Sequence, residues 1–307
     1  MSESGPAAAT APARPSLLLT WIHACRVPTL TAAVVPVLVG SAVAWRHEAF
    51  RAGPALAALA GAVFIQIGTN LANDLFDFAK GADSPARIGP PRALAMGWLT
   101  PAAVRDGMIV SFAAAVVAGI YLVEVGGWPI LAIGVASIAA GIAYTAGPYA
   151  LAYMGLGDAF VFIFFGIVAV LGTYYVQAGG LDPEAALAAL PVGALATAIL
   201  VVNNVRDADS DRAVGKRTLA VLLGPRAARA EFGALLLCAY MIPVGLWAHG
   251  IRSAWVLLPL ATATLAARTL HAVVEHAGGP ALNRALLDTA RLHALFGLLF
   301  AAGIVLG

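Results

Sequence analysis

Along the 307 residues, apolar positions gather into nine long runs, at about 17–45, 54–79, 101–124, 128–146, 156–178, 184–205, 226–248, 252–274 and 286–306, separated by short polar connections. Crossing the hydrocarbon layer takes about 20 mostly apolar residues in a helix, so each run predicts a membrane-spanning helix. The first is longer than one crossing and contains Pro28 and Pro36. Proline removes an amide donor, which predicts an interfacial start or a bend. Nine crossings would put the termini on opposite sides. Composition points the same way: 61% of the chain is hydrophobic and 11% charged, against about 45–50% and about 25% in soluble domains. Too few polar side chains remain to cover a water-exposed surface, whereas a bilayer accepts apolar side chains facing outward. The expected fold class is all-α, a polytopic membrane protein with the lipid bilayer as its solvent.

Residues 1–15 are mostly Ala, Pro, Ser and Gly, a composition that buries too little surface to order itself. They are expected to form a disordered tail ahead of a single transmembrane domain over 16–307. No basic start, short apolar stretch and small-residue cleavage site marks a signal peptide. Cys25 and Cys238 lack metal-ligand spacing and are read as inert. The net charge of +2 offers no basic face for nucleic acid, and no obligatory protein partner is implied.

The position of charge is more informative than its sum. With the N-terminus in the cytoplasm, fifteen of the eighteen Lys and Arg residues fall on that side, and only Arg46, Arg51 and Arg252 on the other. This positive-inside asymmetry places the two richest loops, about 80–105 and 206–229, in the cytoplasm, and the expected location is a bacterial cytoplasmic membrane.

Acidic residues cluster at the cytoplasmic ends of the second and sixth runs. The first cluster holds Asn70, Asn73, Asp74, Asp77 and Asp83, and the second Asn203, Asn204, Asp207, Asp209 and Asp211. Residues four apart share a helix face, so Asn73 lies over Asp77, Asn203 over Asp207, and Asp207 over Asp211. Ionisable groups in or at the end of a membrane helix are costly and face a wet cavity or a partner. Oxygen ligands with no His or Cys suit a hard ion, Mg²⁺ above all, which is usually held by one or two carboxylates plus substrate phosphates. Helix-end capping would account for one such cluster, but not readily for two, 130 residues apart from Asn73 to Asn203. Each cluster is followed by cations, Arg87 and Arg92 after the first and Lys216 and Arg217 after the second, suited to the remaining diphosphate oxygens. Gly215-Lys216-Arg217-Thr218 lacks the upstream glycines and strand-to-helix context of a P-loop.

Taken together, Asn73-Asp74-x-x-Asp77, Gly81-x-Asp83, Arg87-Ile-Gly-Pro-Pro-Arg92, Asn204-x-x-Asp207-x-x-x-Asp211 and Gly215-Lys216-Arg217-Thr218-Leu219 resemble the UbiA superfamily of intramembrane aromatic prenyltransferases. Arg26-Val-Pro28-Thr29, Tyr144-Thr-Ala-Gly147-Pro148 and Gly155-Leu-Gly157-Asp158 add to the likeness, which runs from about residue 20 to the end. Within the superfamily the pattern is most similar to the 1,4-dihydroxy-2-naphthoate polyprenyltransferase branch of menaquinone biosynthesis. The resemblance implies nine helices around a central cavity with a cytoplasmic cap and a lateral opening to lipid. It also implies two Mg²⁺ ions bridging the acidic motifs through a prenyl diphosphate, with Asn73 and Asp77 at one ion and Asp207 and Asp211 at the other. Asp74, Asp83, Asn204 and Asp209 would be supporting groups. The general pattern has an acid four residues after Asp77, where this chain has Gly81; Asp83 follows two later, as in the naphthoate branch.

The implied reaction is transfer of a polyprenyl group to an aromatic acceptor, 1,4-dihydroxy-2-naphthoate with loss of carbon dioxide, giving demethylmenaquinol. Other branches use 4-hydroxybenzoate or homogentisate. Metal and cations would stabilise the departing diphosphate, and apolar walls would keep water from the allylic cation. Aromatic faces shield cations. Of Tyr144, Tyr149, Tyr153, Phe160, Phe164, Tyr174 and Tyr175, Tyr144 is the candidate for that role. Asp158 is the candidate for the acceptor's hydroxyl, and Arg26 for diphosphate or an acceptor carboxylate. A secondary transporter would instead place its charged positions near the bilayer midplane, and a scaffold has no use for costly clustered carboxylates.

Overall fold

The computed structural model describes residues 15–83, 88–276, 279 and 281–307, and within them no residue is in a strand. The helices are α1 (Leu17–Cys25), α2 (Thr31–Arg46), α3 (Ala52–Ala79), α4 (Pro101–Gly126), α5 (Trp128–Ala143), α6 (Gly157–Val161), α7 (Ala169–Ala178), α8 (Pro183–Ala213), α9 (Leu219–Leu223), α10 (Pro225–Ala248), α11 (Ala263–Glu275) and α12 (Ala281–Leu306). A π-helical stretch, Phe162–Val168, joins α6 to α7, and a 3₁₀ stretch, Ala254–Thr262, leads into α11. Eight helices among the described residues are long and apolar enough to cross a bilayer. The fourth apolar run, expected over 128–146, forms the 16-residue α5, about 24 Å long and so short of the roughly 30 Å hydrocarbon layer. Its last residues leave the helix as the turn that carries Tyr144 and Thr145.

The expected bend in the first run occurs at Arg26, whose backbone is left-handed (φ 52°, ψ 56°) and ends α1; a short 3₁₀ turn, Val27–Leu30, then starts α2. A non-glycine residue there is strained, and the turn delivers the Arg26 side chain to the cavity described below. Thr100, Asp182 and Thr218 each cap a helix start with a side-chain oxygen, satisfying amides that lipid cannot.

Helix α8 is the hub. It packs against α2, α7, α10, α12 and the π-helical stretch, and its buried residues run from Ala185 to Asp211. Small residues make this possible, since they let helix backbones approach closely in a membrane. Gly193 of α8 meets Gly166 of the π-helical stretch so tightly that a Cβ added at Gly166 would lie 2.6 Å from the Gly193 Cα. Large apolar side chains on the outer faces, such as Leu56, Val117, Leu131 and Leu237, are more than half exposed, as a lipid-facing surface requires.

At 28 and 31 residues, α3 and α8 are the longest helices among the described residues. They extend roughly 42 and 46 Å and overrun the hydrocarbon layer. Asn70 to Asp77 and Asn203 to Asp211 lie on their C-terminal turns, and Asp83 follows the end of α3. At the opposite end of α8, Glu184 pairs with buried Arg252 and with His47, whose Nδ1 meets the Tyr174 hydroxyl at 2.9 Å. Arg252, assigned by the sequence to the sparsely charged side, thus lies at the end of α8 remote from the acidic motif. Enlarging Gly193 to Val should overpack the contact with Gly166 and cost about 1–3 kcal/mol, read as a lowered thermal midpoint of the purified protein in detergent.

Candidate active site

The last two turns of α3 and α8 converge on one loop residue. Tyr153, in the segment between α5 and α6, donates its hydroxyl to Asp77 Oδ1 at 3.0 Å. Lys80 Nζ sits over the Tyr153 ring 4.3 Å from its centre, and Lys216 Nζ lies 5.6 Å from the same centre. Lys216 also faces Asp211 Oδ1 at 3.6 Å. One aromatic ring therefore stands between the cations that follow the two motifs, with an acid of each motif beside it. Burial, and next the adjacent Asp77 carboxylate, push the Tyr153 phenol well above its ordinary pKa, so it remains a donor through the neutral range. Lys80 is further anchored by the carbonyls of Thr145 (2.7 Å) and Gly147 (3.1 Å), and Thr145 donates to Asn73 Oδ1 at 3.0 Å.

Asp74, 2% exposed, faces two guanidiniums, with its Oδ1 3.6 Å from Arg26 Nη2 and 3.7 Å from Arg92 Nη1. Arg92 also reaches Asp83 Oδ2 at 3.4 Å. Asp83 thus supports Arg92 rather than extending the oxygen stripe of α3, which agrees with its displaced spacing. On α8, Arg206 grips both oxygens of Asp207 at 2.7 Å and bonds Asn203 Oδ1 at 2.7 Å and Asn283 Oδ1 of α12 at 3.1 Å. Asn283 in turn donates to the Ile88 carbonyl at 3.1 Å. Gly89 lies so flat on the guanidinium that an added Cβ would come within 2.8 Å of Nη2. Arg206 therefore ties the second motif to α12 and to the loop that carries Arg92.

A cavity of about 1030 Å³ opens beside these groups, and Asp207, Asp211, Lys80 and Tyr153 stand outside its lining. Arg26, Asn73, Asp74, Asp77, Arg92, Tyr144, Asn203, Asn204, Arg206 and Lys216 line its polar end, and α3, α4, α5 and α7 supply largely apolar walls. Phe160 and Phe164 also line it, stacked with centroids 5.8 Å apart. Tyr144 reaches Gly157, where an added Cβ would come 3.0 Å from its hydroxyl.

The structure corrects several sequence assignments. Asp209 is on the outer face of α8, its side chain fully exposed and paired with Arg212 at 3.0 Å; two residues from Asp207 or Asp211, it lies off the face they share. Arg217 is exposed and outside the cavity lining, unlike its neighbour Lys216. Asp158 is buried but stands behind the wall, 3.5 Å from Asn204 Nδ2, so any influence on an acceptor passes through Asn204. Arg87 lies outside the described residues. Conversely, Arg206 and Lys80 count only toward topology in the sequence, and Tyr153 only as one of several aromatics. The signal for Arg206 was its place inside the acidic motif, where a buried helix needs a counter-charge.

The donor set fits Mg²⁺. Asn73, Asp77, Asp207 and Asp211 are each at most 9% exposed and offer oxygen alone. Asp207 already accepts twice from Arg206, but a carboxylate has about four acceptor positions and keeps room for another partner. Breaking the buried Arg206–Asp207 pair with Arg206→Met should cost about 3–5 kcal/mol, whereas exposed Arg217→Ala should stay within about 0.5 kcal/mol; thermal unfolding of both variants in detergent measures the contrast.

Residues 33–306 match the model of the UbiA prenyltransferase family. The chain is 38% identical over 293 residues to the 1,4-dihydroxy-2-naphthoate octaprenyltransferase of Escherichia coli, covering 93% of this chain and 95% of that one. It is 36% identical to the protein of that name from Mycobacterium tuberculosis, covering 94% and 97%. Among solved structures, a UbiA homologue from Aeropyrum pernix superposes with a TM-score of 0.68 at 17% identity, over 92% of this chain and 98% of that one. One from Archaeoglobus fulgidus, solved with DMAPP and Mg²⁺, superposes at 0.63 and 17% identity, over 93% and 99%.

Proposed function

Because the chain belongs to the UbiA prenyltransferase family, we propose that it transfers a polyprenyl group from a prenyl diphosphate to 1,4-dihydroxy-2-naphthoate, releasing carbon dioxide and giving demethylmenaquinol. The relatives from Escherichia coli and Mycobacterium tuberculosis support this acceptor. The observation that carries the reading is that Asn73, Asp74 and Asp77 of α3 and Asn203, Asn204 and Arg206 of α8 line one cavity with largely apolar walls, together with Arg26, Arg92 and Lys216. A diphosphate with a long apolar tail has the complementary form, charged at one end and lipid-like along the rest.

Asn73, Asp77, Asp207 and Asp211 are the residues that would hold Mg²⁺. Bound there, the ion would supply positive charge against the diphosphate as it leaves. Arg92, Lys216 and Arg26 would bind diphosphate oxygens, and Arg206 would keep Asp207 in place. The allylic carbon–oxygen bond breaks with its electron pair leaving on the diphosphate. The ring carbon bearing the carboxylate forms the new carbon–carbon bond, and the departing carbon dioxide leaves its electron pair to restore the aromatic ring. Tyr144, Phe160 and Phe164 would face the allylic carbon with their π systems, and the apolar walls exclude the water that would otherwise capture it. The charge asymmetry of the loops supports a cytoplasmic position, in a bacterium, for this end of the helices and the N-terminus, and residues 16–307 would act as one domain.

Assayed in membranes with Mg²⁺, a polyprenyl diphosphate and either dihydroxynaphthoate or 4-hydroxybenzoate, the protein should yield the decarboxylated prenyl-naphthalenediol by mass. Prenylation of hydroxybenzoate alone would overturn the acceptor assignment. Asp77→Asn and Asp211→Asn should each lower turnover by about a hundredfold or more, comparable with removing a transition-state charge stabiliser. Arg92→Ala and Lys216→Ala should raise the KM for the prenyl diphosphate, and Arg217→Ala should leave it unchanged.

A further inference from the structure

Tyr153 touches a residue that follows or belongs to each acidic motif, stands outside the cavity lining, and has no part in the reaction as proposed. It ends a 3₁₀ turn, Leu151–Tyr153, between α5 and α6. The turn is fixed through its backbone, with the Ala152 amide donating to the Tyr144 carbonyl at 2.9 Å and the Tyr153 amide to the Ala150 carbonyl at 2.8 Å. Lys80, bonded to the carbonyls of Thr145 and Gly147, packs on the ring itself. The ring is thereby held from the side of its own loop. Its contacts with the two motifs differ in kind. The hydroxyl donates to Asp77 Oδ1 at 3.0 Å, whereas Lys216 Nζ meets the ring, 5.6 Å from its centre. Asp77 and Lys216 both line the cavity, so Tyr153 backs one lining group from α3 and one from the loop after α8.

We propose that Tyr153 is the positioning residue that brings the two motifs to bear on one metal-bound diphosphate, its hydroxyl orienting Asp77 and its ring placing the Lys216 ammonium. The inference rests on the prenyl-transfer reading and adds to it a group that acts without touching substrate. Each contact leaves its partner able to bind a ligand. An ionised carboxylate accepts at about four positions, so one bond at Oδ1 fixes the rotation of Asp77 and leaves the rest of the group for Mg²⁺. Hydrogen-bond partners orient metal-ligating carboxylates, and their loss typically costs about 10–100-fold in metal affinity or activity. An aromatic face attracts an ammonium through its quadrupole. The ring therefore holds Lys216, 3.6 Å from Asp211 Oδ1, without adding a further negative charge to a site that already carries the acids of both motifs. Phenylalanine keeps the second contact and loses the first, so the two roles separate by experiment.

The test uses the full-length protein in detergent. Mn²⁺ binding in the presence of inorganic pyrophosphate is followed by electron paramagnetic resonance, which needs no turnover, and the KM for a polyprenyl diphosphate is measured at saturating Mg²⁺. Tyr153→Phe should weaken Mn²⁺ binding about tenfold and leave the KM for the prenyl diphosphate within about twofold of wild type. Tyr153→Leu should weaken Mn²⁺ binding equally and raise that KM about tenfold. Adding Lys216→Ala to Tyr153→Leu should then change the KM by less than about twofold, because the lysine is no longer placed, whereas adding it to Tyr153→Phe should raise the KM in full. Tyr153→Met, which also lacks a π face, covers the case in which Tyr153→Leu fails to fold. Wild-type Mn²⁺ affinity in Tyr153→Phe would overturn the role of the hydroxyl, and a KM in Tyr153→Leu equal to that in Tyr153→Phe would overturn the role of the ring. A wild type that binds no Mn²⁺ with pyrophosphate would overturn the diphosphate reading and this proposal with it. A wild type that binds it and prenylates 4-hydroxybenzoate instead of the diol loses only the acceptor assignment, and the same comparison run with 4-hydroxybenzoate decides the Tyr153 proposal separately.

Discussion

Everything at the charged end of this molecule follows from the difficulty of keeping carboxylates next to a bilayer. Asp74, Asp77, Asp207 and Asp211 are all buried, and a buried charge that is not paired is among the most expensive features a protein can carry. The fold answers with cations and donors drawn from distant parts of the chain. Arg26 comes from the strained turn after α1, Arg92 from the loop after α3, Lys216 from the loop after α8, and Tyr153 from the connection between α5 and α6. The loops at this end are therefore held by the acids they cover. Arg206 extends the arrangement by joining Asp207 to α12 and to the 88–89 backbone.

The helices supply what this arrangement needs. Overlong α3 and α8 carry their acidic residues on their C-terminal turns. Close contact between Gly166 and Gly193 brings the π-helical stretch onto α8, so that Phe160, Phe164 and Phe165 line the same cavity as Asn203 and Asn204. π-Helical stretches often occur at functional sites, and here one sits beside the cavity lining. In the proposed reading the polar end binds the diphosphate, the walls receive the tail and ring, and catalysis depends on excluding water between them.

Much of this was legible from the sequence, because lipid imposes strong rules on it. Nine apolar runs correspond to helices, the bend expected in the first run falls at Arg26, and the motif residues Asn73, Asp77, Asp207 and Asp211 lie on the C-terminal turns of α3 and α8. What remained hidden were contacts between residues far apart in the chain. Nothing near Tyr153 announces that it faces Asp77, 76 positions earlier. A count of cations does not separate Lys216, packed against Tyr153, from Arg217, which points outward, since adjacent residues in a loop carry no periodic signal. Asp209 was misplaced because proximity in a motif outweighed helix geometry; a residue two positions from its partners points elsewhere. The length of α5 was overestimated because Tyr144 and Thr145 are compatible with a helix, yet are drawn out of it by contacts with Gly157 and Asn73.

In this reading the two acidic helix ends act together on one diphosphate. An experimental structure of the protein with Mg²⁺ and a non-reactive prenyl thiodiphosphate tests it most directly. The diphosphate should lie beside Tyr153, bridged by metal to Asn73 or Asp77 on one side and to Asp207 or Asp211 on the other, with the prenyl chain along the apolar walls. A diphosphate bound through only one helix end, or lying outside the cavity, would contradict it.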